Sequence, residues 1–212
     1  MARKNVYGEI YKNYLEKGVK LEKYQKIGIL FLVVVISGFV GWLYEFLLTW
    51  ADNGQIYMKG GNLLPWMNIY AIGALFVVPI TYRIRRYPWA VFVVSALVTG
   101  IVELVGGWLA YELFDGARYW NYDSGPWAFG SINGFVCPLS VTIFGIGSLL
   151  LVYLVVPLCI YLAQRMTKRA FLTLAITMFT LVMLDELTNL TLKNLNLPTA
   201  MDFWQWVGLK YK

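Results

Sequence analysis

The sequence predicts an all-α fold: a polytopic membrane helix bundle of about five transmembrane helices, preceded by an amphipathic surface helix. Three observations carry this. Of the 212 residues, 59% are apolar and only 14% charged, with a mean hydropathy of +0.59, whereas a soluble domain is about 25% charged. The apolar residues gather in runs of about 20 or more, the length a helix rising ~1.5 Å per residue needs to cross roughly 30 Å of hydrocarbon. Lys and Arg fall in short clusters between those runs. The net charge of +6 therefore reads as a topology signal, not a phosphate-tracking stripe, and nucleic acid is not expected as a partner.

Residues 1–26 make a cytoplasmic amphipathic segment. Tyr7, Ile10, Tyr11, Tyr14 and Leu15 follow helical spacing, with Glu9, Lys12, Glu16 and Lys17 opposite. Such a helix lies on the membrane with its tyrosines at headgroup depth, or docks on a partner protein. The first span, 27–50, far exceeds the roughly 7–15 residues of a signal-peptide core and carries Glu45, so cleavage is not expected. A polar loop leads to the second span, 62–82, and a tight turn holds Arg83, Arg85, Arg86 and Pro88. The third span is 89–113. The connection 114–130, rich in aromatics, Gly and Asp, is too polar to cross. The fourth span lies between 131 and 163, starting irregularly around Gly134 and Pro138, and Arg165, Lys168 and Arg169 close it. The fifth is 170–192.

Residues 27–192 thus form the membrane domain and 193–212 an extracytoplasmic interfacial tail, with Phe203, Trp204, Trp206 and Tyr211 as anchors. Five spans place thirteen of the 18 Lys and Arg on the N-terminal side, against Lys59, Arg118, Lys193, Lys210 and Lys212 on the other. That bias predicts a plasma-membrane protein with a cytoplasmic N-terminus and an extracytoplasmic C-terminus. No internal repeat points to an inverted-repeat transporter.

Histidine is absent, so proton handling would fall to carboxylates. Cys137 and Cys159 read as buried thiols. No Gly-rich phosphate loop is present, so the chain is not itself an ATPase, and no cofactor is expected. Hydroxyls such as Ser140 and Thr142 lack a histidine base, no catalytic residue is assigned, and the reading leans away from an enzyme.

Glu45, Glu103, Asp185 and Glu186 lie inside the spans, and none has a basic residue in its own span. A carboxylate at mid-span costs about 2.5–3.5 kcal/mol on insertion scales, so each acid must face the bundle interior, stay protonated or meet a cation. Glu112 extends the acidic trend at the end of the third span. Convergence of these acids would make a site for a proton, a cation or a cationic group. Separate capping by Trp, Tyr, Asn or backbone donors would make each an interhelical clasp. Asp185 and Glu186, ~100° apart on a helix, are not expected to face one point together, so one of them would join Asn189 one turn on. Gly100, Gly106, Gly107 and Ala110 leave room for close helix packing near Glu103. Arg118, the only basic residue of the 114–130 connection, is expected to neutralise Glu112 or Asp115, or to bind an anionic headgroup or phosphate. With Trp120 it either shapes an external entrance or forms an interfacial cap.

Several short motifs occur in order. They are Gly41-Trp42-Leu43-Tyr44-Glu45, the stretch from Leu64-Pro65-Trp66 to Tyr70-Ala71-Ile72-Gly73, the run from Glu103 to Glu112, Trp120-Asn121-Tyr122-Asp123-Ser124, and Asn133-Gly134-Phe135-Val136-Cys137-Pro138-Leu139-Ser140. Together they resemble the bacterial ABC-transporter type IV, or CmpB-like permease, family over roughly residues 38–157. The chain departs from the pattern at Met58-Lys59-Gly60-Gly61-Asn62, where the family has an Asn-Arg-Gly-Phe-type segment. It departs again at Asn121-Tyr122-Asp123, where the family's Trp-Asp-Tyr-Ser places the acid earlier. The resemblance implies transport. Taken with the acids, the leading expectation is a permease-like protein handling a small solute or ion through an acid-lined intramembrane site, with Glu45 and Glu103 as its proton- or cation-binding groups. A true ABC permease would also need a separate ATPase on its cytoplasmic turns. The alternatives are a non-transporting scaffold, assembly factor or sensor, and an intramembrane enzyme acting on a lipid. Expected partners are the lipid bilayer and a second copy or another membrane protein.

Overall fold

A computed structural model of the chain describes residues 6–55, 57–58, 60–113, 116 and 118–211. Asp115, Lys59 and Lys212 lie outside the described residues. The fold is all-α: α1 (Val6–Glu16), α2 (Lys23–Asn53), α3 (Asn68–Thr81), α4 (Pro88–Leu113), α5 (Pro138–Leu150), α6 (Val156–Arg165), α7 (Lys168–Asn194) and α8 (Ala200–Trp206). A two-residue parallel strand pair, β1 (Tyr57–Met58) with β2 (Lys210–Tyr211), and a short 3-10 turn, Gly125–Ala128, are added. Among the described residues, four stretches are long and apolar enough to cross a membrane: Lys23–Ala51, Pro88–Leu113, Pro138–Arg165 and Lys168–Asn194.

α4 shows why lipid must surround these helices. Its buried stripe is Val91, Ser95, Thr99, Glu103 and Gly107, one residue per turn. Its outward face carries Leu97 and Ile101, 64% and 62% exposed. Hydroxyls and a carboxylate point inward while large aliphatics point outward, the reverse of a helix solvated by water.

The second predicted span differs from expectation. Its helix, α3, has 14 residues, about 21 Å at ~1.5 Å per residue, which is short of the hydrocarbon thickness. The reason is local. Gly60 and Gly61 take positive φ of 95° and 77°, and Pro65 cannot donate to a helical ladder. The Leu63 and Leu64 N–H groups are used elsewhere, as described below.

The chain divides into two compact units, residues 1–19 with 72–158 and residues 20–71 with 159–212. In the first, α4 packs along α5. Gly100 and Gly107 face Val141 and Phe135 so closely that an added Cβ would come within 2.8 and 2.9 Å of their side chains. Gly100 and Gly107, two of the small residues expected to serve packing, do so.

α1 belongs to the same unit. Its Ile10 and Tyr14 are buried, so part of the stripe expected at headgroup depth is instead covered by the chain itself. Arg85 Nε donates to the Tyr14 carbonyl and Arg86 Nε to that of Leu15 at 3.2 Å, while the Arg85 guanidinium stacks over the Tyr82 ring at 4.0 Å. The Tyr14 hydroxyl donates to the Val152 carbonyl at 3.1 Å. That carbonyl is available because of Pro157. A wide π-turn spans Leu151–Val155, the Val156 N–H bonds back to Leu151 O, and Pro157 has no N–H to offer. Burial pushes the Tyr14 phenol well above the ordinary tyrosine range, with Arg85 pulling it partly back, so the donor keeps its proton. Tyr14→Phe strands the carbonyl and should cost roughly 1–3 kcal/mol, read as a lower unfolding temperature in detergent. An unchanged temperature would count against this account of α1.

In the second unit α2 packs along α7, with Phe31 stacked on Phe179 at 4.3 Å between ring centres. Val34, Val35, Trp66, Ala71 and Val182 form its buried cluster. The Trp66 indole N–H reaches Val34 O at 3.4 Å. The tail folds onto the same unit. Trp204, expected as an interfacial anchor, is half-buried and donates to Asn62 O at 3.2 Å, whereas Trp206 is 83% exposed.

Candidate functional site

Glu103 stands on the inward stripe of α4 and is 2% exposed. Two segments bring hydroxyls to it. The first is the connection after α4, which folds back on itself. Tyr122 N donates to Gly134 O at 3.0 Å and Ile132 N to Val136 O at 2.8 Å, and the Trp120 indole donates to Phe135 O at 2.8 Å. Gly134, at φ 72°, is required here, because a Cβ would lie 2.4 Å from Asn121 Oδ1 and 2.5 Å from Arg118. This fold, with Trp127 stacked on the Tyr122 ring, aims the Tyr122 hydroxyl at Glu103 Oε1, 2.7 Å away.

The second segment is the start of α5. Cys137 caps the helix: its N–H donates to Ser140 Oγ at 3.2 Å and its sulfur accepts from Ser140 N at 3.3 Å. That reciprocal box, with Pro138 as the first helical residue, fixes the Ser140 rotamer. Ser140 Oγ lies 2.7 Å from Glu103 Oε2 and 2.9 Å from Cys137 O. The carboxyl group also sits at a helix N-terminus, where negative charge is favoured.

Arg118 is held within the connection, and Asp115, one of the acids expected beside it, lies outside the described residues. The arginine pairs with Asp123 at 3.3 Å and donates to Asn133 O at 3.0 Å, so it staples the connection, and Asp123, not Glu112, is its acid. Glu112 is exposed at the end of α4. Trp120, expected to shape an external entrance or an interfacial cap, is tied down by its indole bond.

Asp185 and Glu186, in the other unit, meet different groups of one segment. Asp185 accepts from Leu63 N at 3.1 Å and Leu64 N at 2.6 Å. Glu186 accepts from the Asn62 amide at 2.7 Å and the Asn68 amide at 3.1 Å. Their divergence on the helix is real, but the loop from Asn62 to Asn68 is wide enough to meet both. Asn189 donates to Asp185 Oδ1 at 2.8 Å and accepts from Ala200 N, the start of α8, at 2.8 Å. Glu45 accepts from the Tyr70 hydroxyl at 2.9 Å. Sequence reasoning missed Tyr70, Tyr122, Ser140, Asn62 and Asn68 as partners of these acids. Four of the five lie within or beside the ordered motifs that carried the family resemblance.

Among the described residues no group of three or more Cys, Asp or Glu is placed to hold a metal ion. A hollow of about 470 Å³ beside α8 is lined by Leu63, Leu192, Pro198 and Phe203, among others, and by none of the acids of the spans.

The inverted face of α4 with its buried acid, and three half-buried acids of the other spans held by hydrogen bonds, define a helical membrane protein. The family model described as "Putative ABC-transporter type IV" matches residues 31–190, well over half the chain, and the chain belongs to that family. It is a transport-related membrane protein set in a lipid bilayer. Comparisons with curated proteins and with solved structures return no match.

Proposed function

We propose that the chain is a permease-like protein of the cell membrane that handles a small solute or ion, with Glu103 at the centre of its site. The observation that carries this reading is a carboxyl group 2% exposed within an apolar span and coordinated by hydroxyls from two other segments. A group so costly to bury is retained in membrane spans chiefly on ion or proton pathways. Glu45, held by Tyr70, is the second acid of the reading, and Arg118 with Trp120 hold the connection over Glu103.

The topology proposed is five crossings with a cytoplasmic N-terminus, residues 1–26 inside, 27–192 in the membrane and 193–212 outside. The hydrogen bonds from Arg85 and Arg86 to α1 support it. α1 and the turn before α4 must share one side of the bilayer, so a chain that crosses in α2 has to return before Arg83. The segment 62–81 makes that return although only part of it is helical. Irregular backbone at membrane depth is tolerated where protein groups satisfy it, and Asp185 does so for Leu63 and Leu64.

A scaffold or assembly role is the second reading. It is favoured by Asp185 and Glu186, whose hydrogen bonds clamp one loop and serve packing. Proton flux into dye-loaded proteoliposomes under a potassium diffusion potential separates the two. The native protein should carry flux, and Glu103→Gln should reduce it to the level of protein-free vesicles. Equal flux in native protein and variant, or none in either, would overturn the permease reading in favour of the scaffold.

A further inference from the structure

The four acids of the spans divide by the chemistry of their donors. Asp185 is held by two backbone N–H groups and the Asn189 amide, and Glu186 by two amide N–H groups. An N–H can only donate, so in this arrangement both carboxyl groups act as acceptors. Glu103 is held by two hydroxyls, and a hydroxyl can donate or accept.

At Ser140 this difference has a definite geometry. Its single hydroxyl hydrogen has two acceptors in reach, Glu103 Oε2 at 2.7 Å and Cys137 O at 2.9 Å. With Glu103 ionised, the hydrogen points to the carboxylate. With Glu103 protonated, the carboxyl hydrogen points to Ser140 Oγ and the serine hydrogen turns to Cys137 O. Each state leaves both groups hydrogen-bonded, and no heavy atom has to move.

We propose that Glu103 is a reversible proton-binding site, switched between its two states by rotation of the Ser140 hydroxyl. Resting on the permease reading above, this names the occupant of that site as a proton rather than a metal or organic cation. One proton enters from water, adds to Oε2 and raises the charge of the site by one. The hydrogen-bond chain then runs from Glu103 through Ser140 to Cys137 O, while Tyr122 donates to Oε1 throughout. A bound metal ion would need several oxygen ligands, and both carboxyl oxygens here are already spanned by hydroxyls at 2.7 Å.

Around the site, the connection brings Tyr122 and the Arg118–Asp123 ion pair, and the start of α5 brings Cys137. α3 approaches α4 near Thr99 at Gly73, and its residues 72–81 bring no titratable group.

The test is pH-difference infrared spectroscopy of the protein in phosphatidylcholine vesicles, which needs no transport and so is separable from the flux assay. Acidification should produce the C=O stretch of a protonated carboxyl group. The band should disappear in Glu103→Gln and persist in Glu45→Gln, the control for the acid held by Tyr70. Ser140→Ala should move it to higher frequency, because the carboxyl hydrogen loses its acceptor, and this arm stands even if Glu103→Gln fails to fold. No band in the native protein, a band that survives Glu103→Gln, or one that shrinks as sodium or choline is added at fixed pH would overturn the proposal. A band with these properties in a protein that carries no flux would keep the proton site and discard the permease.

Discussion

Asp185→Ala should open the segment ahead of α3. Asp185 is the acceptor for two consecutive backbone N–H groups, Leu63 at 3.1 Å and Leu64 at 2.6 Å, on side chains that face outward, 46% and 36% exposed. Where those residues face lipid, no water replaces the lost acceptor, and an orphaned backbone group costs roughly 1–3 kcal/mol. Two at once should cost about 2–6 kcal/mol, a large part of the stability of an ordinary domain. Asn189 also loses the carboxylate it donates to, although its bond to Asp185 O at 3.0 Å and its acceptance from Ala200 N remain. Hydrogen exchange should therefore rise steeply over 63–67 and only modestly at the start of α8. Asp185→Asn is the finer probe. Its amide oxygen can accept one N–H while its NH₂ meets the other, so it should fall between alanine and the native protein. Exchange unchanged in the alanine variant would mean that the segment is held by something else.

That segment also marks the limit of what the sequence discloses. The bounds of α4 and α7 were legible to within a few residues because 89–113 and 170–192 are long, predominantly apolar runs between polar or basic segments, and hydropathy is a local property. The second span was read from the same signal, yet its path is decided by Gly60, Gly61, Pro65 and an acid more than 120 residues away. No local window contains that acid. Glu103 was legible as a cost, since a carboxylate in hydrocarbon must be answered. The answering hydroxyls, 19 and 37 residues further on, were not, because tyrosine and serine beside a span are ordinary interfacial residues until the fold closes them on the acid. The stripe on α1 was equally plain while its target was hidden, for the free carbonyl of Val152 exists only because Pro157 sits one turn beyond it.

Gly38→Ala should be among the most damaging single changes in the chain. A Cβ at this position would lie 2.0 Å from the Trp66 indole nitrogen and 2.4 Å from two further ring atoms. The indole cannot retreat. Trp66 is 3% exposed, its N–H is directed at Val34 O, and its neighbours Val34, Val35 and Val182 close the cluster around it. The backbone is committed as well, since Met67 N donates to Gly38 O at 3.1 Å. Overpacking typically costs about 1–3 kcal/mol; a clash against a rigid ring fixed at both ends should reach or exceed the top of that range. The outcome to measure is folded protein after solubilisation, together with its unfolding temperature. Trp66→Ala alone should cost roughly 3–5 kcal/mol by leaving a cavity. In the double variant the new methyl group has no ring to meet and fills part of that cavity, so the combined loss should be clearly smaller than the sum of the two. Strict additivity would mean that Gly38 is needed for its own backbone and not for the approach of Trp66. The same geometry recurs one turn on, where a Cβ at Gly41 would enter the Tyr70 ring at 2.0 Å, the ring whose hydroxyl holds Glu45. Gly41→Ala should therefore disturb the Glu45 contact by steric displacement of its donor, without any change to the acid itself.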